Sequence, residues 1–178
     1  MIGRKNQQDL SLRLSSRRGW VHLRTLIAVR WIGIAGQIGA LAAATMLLDY
    51  DLPLRASIAT IAASIILNLW AVRRAQRGPT ISDRVAAGYL AFDILQLALL
   101  LFLTGGLLNP FAMLLLAPLT VGSAILRRRL IIALTILMIG AASALAFAPQ
   151  TLPWAEASFP PIYLFGIWMA LVLSGLFI

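Results

Sequence analysis

Apolar residues run through this chain in six blocks, at 26–48, 56–72, 85–103, 111–126, 130–148 and 162–178, and nearly every charge lies outside them. A bilayer has a hydrocarbon core about 30 Å thick, which takes about 20 residues of helix to cross. The blocks run close to that length, so the pattern predicts an all-α fold: an integral membrane bundle of six transmembrane helices. A cleaved leader is the competing reading of the first block, but its run of about 23 residues exceeds the 7 to 15 of a signal-peptide core. It is expected to be a retained span.

Cytoplasmic loops carry an excess of Lys and Arg. Arg4, Lys5, Arg13, Arg17, Arg18 and Arg24 precede the first block; Arg73, Arg74, Arg77 and Arg84 join the second and third; Arg127, Arg128 and Arg129 join the fourth and fifth. The alternate connections hold only Asp49, Asp51, Arg55 and Glu156. This alternation places the N-terminus in the cytoplasm. The chain divides into a basic cytoplasmic segment at 1–25 and a membrane domain at 26–178. In the last outer connection Trp154 and Phe159 suit an aromatic anchor at the interface.

Composition sharpens the class. Hydrophobic residues make up 61% of the 178 and charged residues 12%, against roughly a half and a quarter in soluble proteins. The net charge of +9 comes from clusters between apolar blocks, not from one basic face, which argues against nucleic acid as a partner. There is no cysteine and His22 is the only histidine, so disulfides and imidazole metal clusters are excluded and no metal is expected. Small residues recur four apart in the first block, as Ala35, Gly39, Ala43 and as Gly36, Ala40, Ala44. Such stripes allow close helix packing, within a bundle or between copies.

A charge at membrane depth costs at least about 2.5 to 3.5 kcal/mol and usually has a partner. Arg30 and Asp93 are the two charges inside blocks. Counting about 1.5 Å per residue from the cytoplasmic ends puts Arg30 roughly 9 Å deep, Asp93 roughly 12 Å and Asn68 about 7 Å. Gln37 lies two turns from Arg30, and Gln96 shares a face with Asp93. A polar seam of Arg30, Gln37, Asn68, Asp93 and Gln96 is expected, with Arg30 and Asp93 meeting. It serves either as glue between helices or in a proton or ligand role; Arg30 can instead snorkel to the inner surface, leaving Asp93 protonated.

One interruption stands out, "TGGLLNPFAM" at 104–113. Gly105 and Gly106 suit the left-handed residues that end a helix; Asn109 suits an N-cap and Pro110 a first helical position. These explain a hairpin without a ligand. The same residues also suit a flat ring bearing acceptor oxygens. Glycines admit close approach, a helix N-terminus favours developing negative charge, the Asn109 amide hydrogen-bonds and Phe111 stacks.

These stretches resemble the RegB/PrrB/ActS group of redox-responsive sensor histidine kinases of proteobacteria. The group's heptapeptide Gly-Gly-x-x-Asn-Pro-Phe is matched at each fixed position by Gly105, Gly106, Asn109, Pro110 and Phe111. "HLRTLIAVRWIGIAGQ" at 22–37 and "DILQLALLLFLTGG" at 93–106 are similar to the group's membrane segments. The resemblance implies a bacterial inner-membrane sensor domain that binds ubiquinone or ubiquinol near the heptapeptide. It also implies a homodimer that reports the redox state of the quinone pool to a cytoplasmic kinase, which phosphorylates a partner response regulator. No phosphoacceptor box or ATP lid occurs in these residues, so the kinase core is expected after 178 and no catalytic residue before it. The rival readings are a fragment of a transporter or channel, and a structural membrane anchor.

Overall fold

The computed structural model describes residues 20–46, 52–78, 80–147 and 160–178; the basic stretch before Trp20 and the outer connection holding Trp154 and Phe159 lie outside them. The described residues are almost wholly helical. α1 is Leu23–Met46, α2 Leu54–Ala75 and α3 Asp83–Leu103. Two 3-10 stretches, Gly106–Leu108 and Pro110–Leu116, lead into α4 at Ala117–Ile125; α5 is Arg128–Phe147 and α6 is Pro161–Phe177. By length and composition α1, α2, α3 and α5 are each able to cross a membrane, whereas 110–125 and α6 are shorter apolar helices.

The fourth block departs from a plain α-helix over 111–126. Asn109 caps it and Pro110 opens it, but the first seven residues coil as 3-10. Pro118 accounts for its last turn. It has no N–H to give the Leu114 carbonyl and its ring crowds that oxygen. The Ala117 N–H donates to Leu114 instead, in the i→i+3 pattern of a 3-10 turn. Regular α geometry begins only there.

A two-stranded ribbon also qualifies the all-helical expectation. β1, Trp20–His22, pairs antiparallel with β2, Thr80–Ser82, ahead of α1 and α3. It ties the start of α1 to the α2–α3 connection. Arg127 Nε reaches Asp83 Oδ2 at 3.0 Å, bringing the α4–α5 turn to the same end, and Arg128 and Ile178 line one groove there. The basic connections among the described residues therefore share one end of the bundle, and the 104–110 turn lies at the other.

α3 is the central helix, packing on α2, α4 and α5, and α5 packs on α6. Its Leu90, Ile94, Leu97 and Leu101 enter a core completed by Leu107, Leu115, Leu119, Met138 and Leu171. α1 and α3 come together differently. Their backbones lie farther apart than those of the packed pairs, and side chains span the gap. The burial pattern is that of a protein in lipid: Arg30, Gln37, Asn68 and Gln96 are buried while Ile32, Ile66 and Ile136 are exposed, an arrangement costly in water.

The inside-out pattern makes a prediction on α5. Met138 is fully buried and Ile136 is 66% exposed. Met138→Ala should lower unfolding stability in lipid or detergent by about 2–5 kcal/mol, and Ile136→Ala by less than about 0.5 kcal/mol. Chemical denaturation followed by circular dichroism measures both; equal losses would contradict this assignment of inside and outside.

Candidate functional site

Helix α3 ends at Leu103, and the chain reverses through two left-handed glycines, Gly105 at φ 117° and Gly106 at φ 63°. A side chain is disfavoured at such angles, which accounts for the pair. Asn109 then locks the turn. Its Nδ2 donates to the Thr104 carbonyl at 3.0 Å and to Thr104 Oγ1 at 2.8 Å, while its Oδ1 accepts from the Phe111 N–H at 2.8 Å. Thr104 Oγ1 in turn donates to the Leu100 carbonyl at 2.8 Å. The Asn109 and Ala112 N–H groups donate within the turn as well, to Gly106 and Asn109. The amide of Asn109, and the backbone donors that a helix start would offer a ligand, are engaged by the chain itself.

Under this turn lies a cavity of about 240 Å³ between α1, α3 and the 3-10 stretch. Its wall includes Gln37 of α1, Leu97 and Thr104 at α3, and Asn109, Phe111 and Leu114 of the turn. Pro110 also borders it; Gly105 and Gly106 do not, being buried behind the turn. Phe111 and Leu114 are exposed on their outer side, so the rim meets what surrounds the bundle. An apolar cavity of about 150 Å³ is enough to hold benzene. This one admits a substituted six-membered ring, with a longer tail left outside.

Deeper between α1 and α3 lies a smaller cavity of about 80 Å³, bordered by Arg30, Gln37, Ser64, Asp93, Leu97 and Pro118. Gln37 and Leu97 wall both cavities. Arg30 Nη2 stands 3.0 Å from Asp93 Oδ1. The guanidinium also lies over the rings of Tyr89 and Phe92, at 5.2 and 5.8 Å, a contact that favours a desolvated cation. Arg30 is 5% exposed, and its Nε and Nη1 have no hydrogen-bond partner among the described residues. It does not snorkel. One step outward, Gln37 and Gln96 pair reciprocally: Gln96 Nε2 donates to Gln37 Oε1 at 2.9 Å and Gln37 Nε2 to Gln96 Oε1 at 3.2 Å.

The structure thus brings together Arg30 with Asp93 and Gln37 with Gln96. Asn68 reaches α1 elsewhere, donating to the Ile27 carbonyl at 3.4 Å. Sequence reasoning assigned Gln37 to the seam but not to the cavity wall, and passed over Thr104 and Pro118. A hydroxyl directly before a glycine pair, and a proline eight residues into a predicted span, are the signals that pointed to them.

The Arg30–Asp93 pair makes a sharp prediction. Removing one partner of a buried pair leaves an uncompensated charge, costing about 3–5 kcal/mol, whereas replacing both with apolar residues is often close to neutral. Asp93→Leu should therefore destabilise strongly, and Arg30→Met with Asp93→Leu should recover most of the loss. A double-mutant cycle of unfolding free energies measures the coupling; additive effects would show that the two do not depend on one another.

With this geometry in place, the chain's relatives are informative. It is 36% identical over 173 residues, 96% of its length, to sensor histidine kinase RegB of Cereibacter sphaeroides, and covers 37% of that protein. A RegB from a second strain of the species is 37% identical over 90 residues, 51% of this chain and 20% of the relative. This chain therefore spans from a fifth to little more than a third of the length of the curated relatives it matches. No family model and no solved structure matches it. Over nearly all of its length, then, this chain of long apolar helices is similar to little more than a third of a RegB sensor histidine kinase.

Proposed function

We propose that this chain is the membrane sensor portion of a redox-responsive histidine kinase, and that the cavity beneath Asn109, Pro110 and Phe111 binds the ring of ubiquinone. The observation that carries the reading is the cavity itself. It is apolar, sized for one ring, rimmed by exposed Phe111 and Leu114, and floored by the buried amide of Gln37. A quinone dissolved in the bilayer reaches such a rim directly and leaves its tail in lipid. Gly105 and Gly106 act in this reading by shaping the turn that carries Asn109 and Phe111, rather than by touching the ligand.

The finer features follow from the same reading. Six spans with a cytoplasmic N-terminus agree with the gathering of basic connections at one end of the bundle. A homodimer agrees with the open space beside Gly33, Gly36 and Gly39 of α1, where a second helix can approach closely. In a full-length kinase of the bacterial inner membrane, ligand state would govern phosphotransfer to a response regulator. That control requires oxidised and reduced quinone to favour different arrangements of the bundle, because a ligand with equal affinity for both shifts nothing.

The test is binding of a short-tailed ubiquinone to the purified chain in lipid nanodiscs. Phe111→Ala removes a stacking face worth about 0.5–1.5 kcal/mol beyond its area and should weaken binding about ten-fold with helical content unchanged. Asn109→Ala is a poorer probe because it also unties the turn. No binding by the unsubstituted chain would favour a structural anchor, and solute flux through liposomes carrying it would favour a transporter.

A further inference from the structure

The reading of the cavity as a quinone site leaves open which group the ring oxygens meet, and hydrogen-bond accounting at the wall answers it. Among the described residues, three polar side chains border the cavity: Gln37, Thr104 and Asn109. An oxidised quinone offers only acceptors, so it needs a donor. Asn109 has two amide hydrogens, matched by its bonds to the Thr104 carbonyl and Thr104 Oγ1. Thr104 has one hydroxyl hydrogen, given to the Leu100 carbonyl. At the turn, Pro110 has no N–H, and the Thr104, Asn109, Phe111 and Ala112 N–H groups donate to Leu101, Gly106, Asn109 Oδ1 and the Asn109 carbonyl. Gln37 differs. Of its two amide hydrogens one is given to Gln96, and of its two acceptor positions one accepts from Gln96. One donor and one acceptor are left over on a side chain only 7% exposed.

We propose that Gln37, held in place by Gln96, is the residue that hydrogen-bonds the quinone ring, donating to a ring carbonyl of the oxidised form and accepting from a ring hydroxyl of the reduced form. Asn109 builds the cavity and does not read its occupant. The assignment rests on the quinone reading of the cavity. It adds a specific chemistry: Gln37 borders the Arg30–Asp93 cavity too, so the group that meets the ligand is also part of the wall around the buried ion pair.

The experiment is infrared difference spectroscopy of a carbonyl-¹³C-labelled short-tailed ubiquinone bound to the chain in nanodiscs, with affinity measured in parallel. In the unsubstituted chain one ring carbonyl stretch should fall below its value in lipid alone. Gln37→Met should return that stretch to the free value and weaken binding about ten-fold, the worth of one hydrogen bond. Bound ligand with an unshifted carbonyl, or a shift that survives Gln37→Met, overturns this assignment and leaves the quinone reading standing. Absence of binding by the unsubstituted chain overturns the quinone reading itself, and this assignment with it. Should Gln37→Met fail to fold, side-chain ¹⁵N spectra of the unsubstituted chain decide. Ubiquinone must move the Gln37 amide signal and leave that of Asn109 in place; the opposite pattern refutes the proposal.

Discussion

A guanidinium and a carboxylate buried in an apolar bundle have to find each other, and that requirement sets how α1 lies against α3. Arg30 and Asp93 stand 3.0 Å apart, each on a helix that would otherwise pack through leucine and isoleucine. Long polar side chains meeting end to end hold two backbones apart, whereas small residues would let them close. The gap does not fill, and both cavities between these helices lie along it, on either side of Gln37. The buried ion pair is thus less a source of net stability, which such pairs seldom supply, than a spacer beside the two cavities.

The turn at 104–110 meets the same constraint in another way. Lipid cannot satisfy backbone groups at the end of a helix, and here two left-handed glycines and the Asn109 side chain satisfy them internally. The Asn109 amide and the Asn109, Phe111 and Ala112 N–H groups are thereby engaged within the turn. The polar group of the cavity wall with hydrogen-bonding capacity to spare then lies on the opposite helix, at Gln37. A conspicuous motif and the atoms that contact a ligand need not coincide: the motif builds a wall, and Gln37 has the free hydrogen.

What the sequence disclosed divides along physical lines. Helix existence was legible because apolar length is a one-dimensional property, and the blocks at 26–48, 56–72, 85–103 and 130–148 correspond to α1, α2, α3 and α5. Depth along a helix was legible too, since a fixed rise per residue brought Arg30 and Asp93 to similar levels. Rotation about the helix axis was not, so Asn68, at a comparable depth, meets the Ile27 carbonyl instead. The ribbon escaped notice because Trp20–His22 and Thr80–Ser82 are too short to display a strand period. The last 3-10 turn of the fourth block was readable from Pro118, whose missing N–H bears on the residue four positions earlier. The resemblance to the heptapeptide family pointed to a turn that borders a cavity but said nothing of which side of it faces that cavity.

The 3-10 stretch Pro110–Leu116 and Pro118, just beyond it in α4, border the two cavities between them. Phe111 and Leu114 border the larger one and Pro118 the smaller. A run of seven 3-10 residues is longer than usual, because its hydrogen bonds are poorly aligned and its side chains eclipse. The alternative α-helical winding is blocked at Leu114 by Pro118. This segment is therefore weakly bonded for its length, yet it walls the larger cavity and leads into the proline that borders the cavity of the ion pair. Phe111 and Leu114 wall the larger cavity on one side, and Leu97 and Leu101 of α3, which wall it on another, belong to the close-packed core. Pro118 also stands at the start of α4, which runs to the basic end of the bundle where Arg127 of the α4–α5 turn is tied to Asp83, so one short helix joins the wall of the cavities to that end.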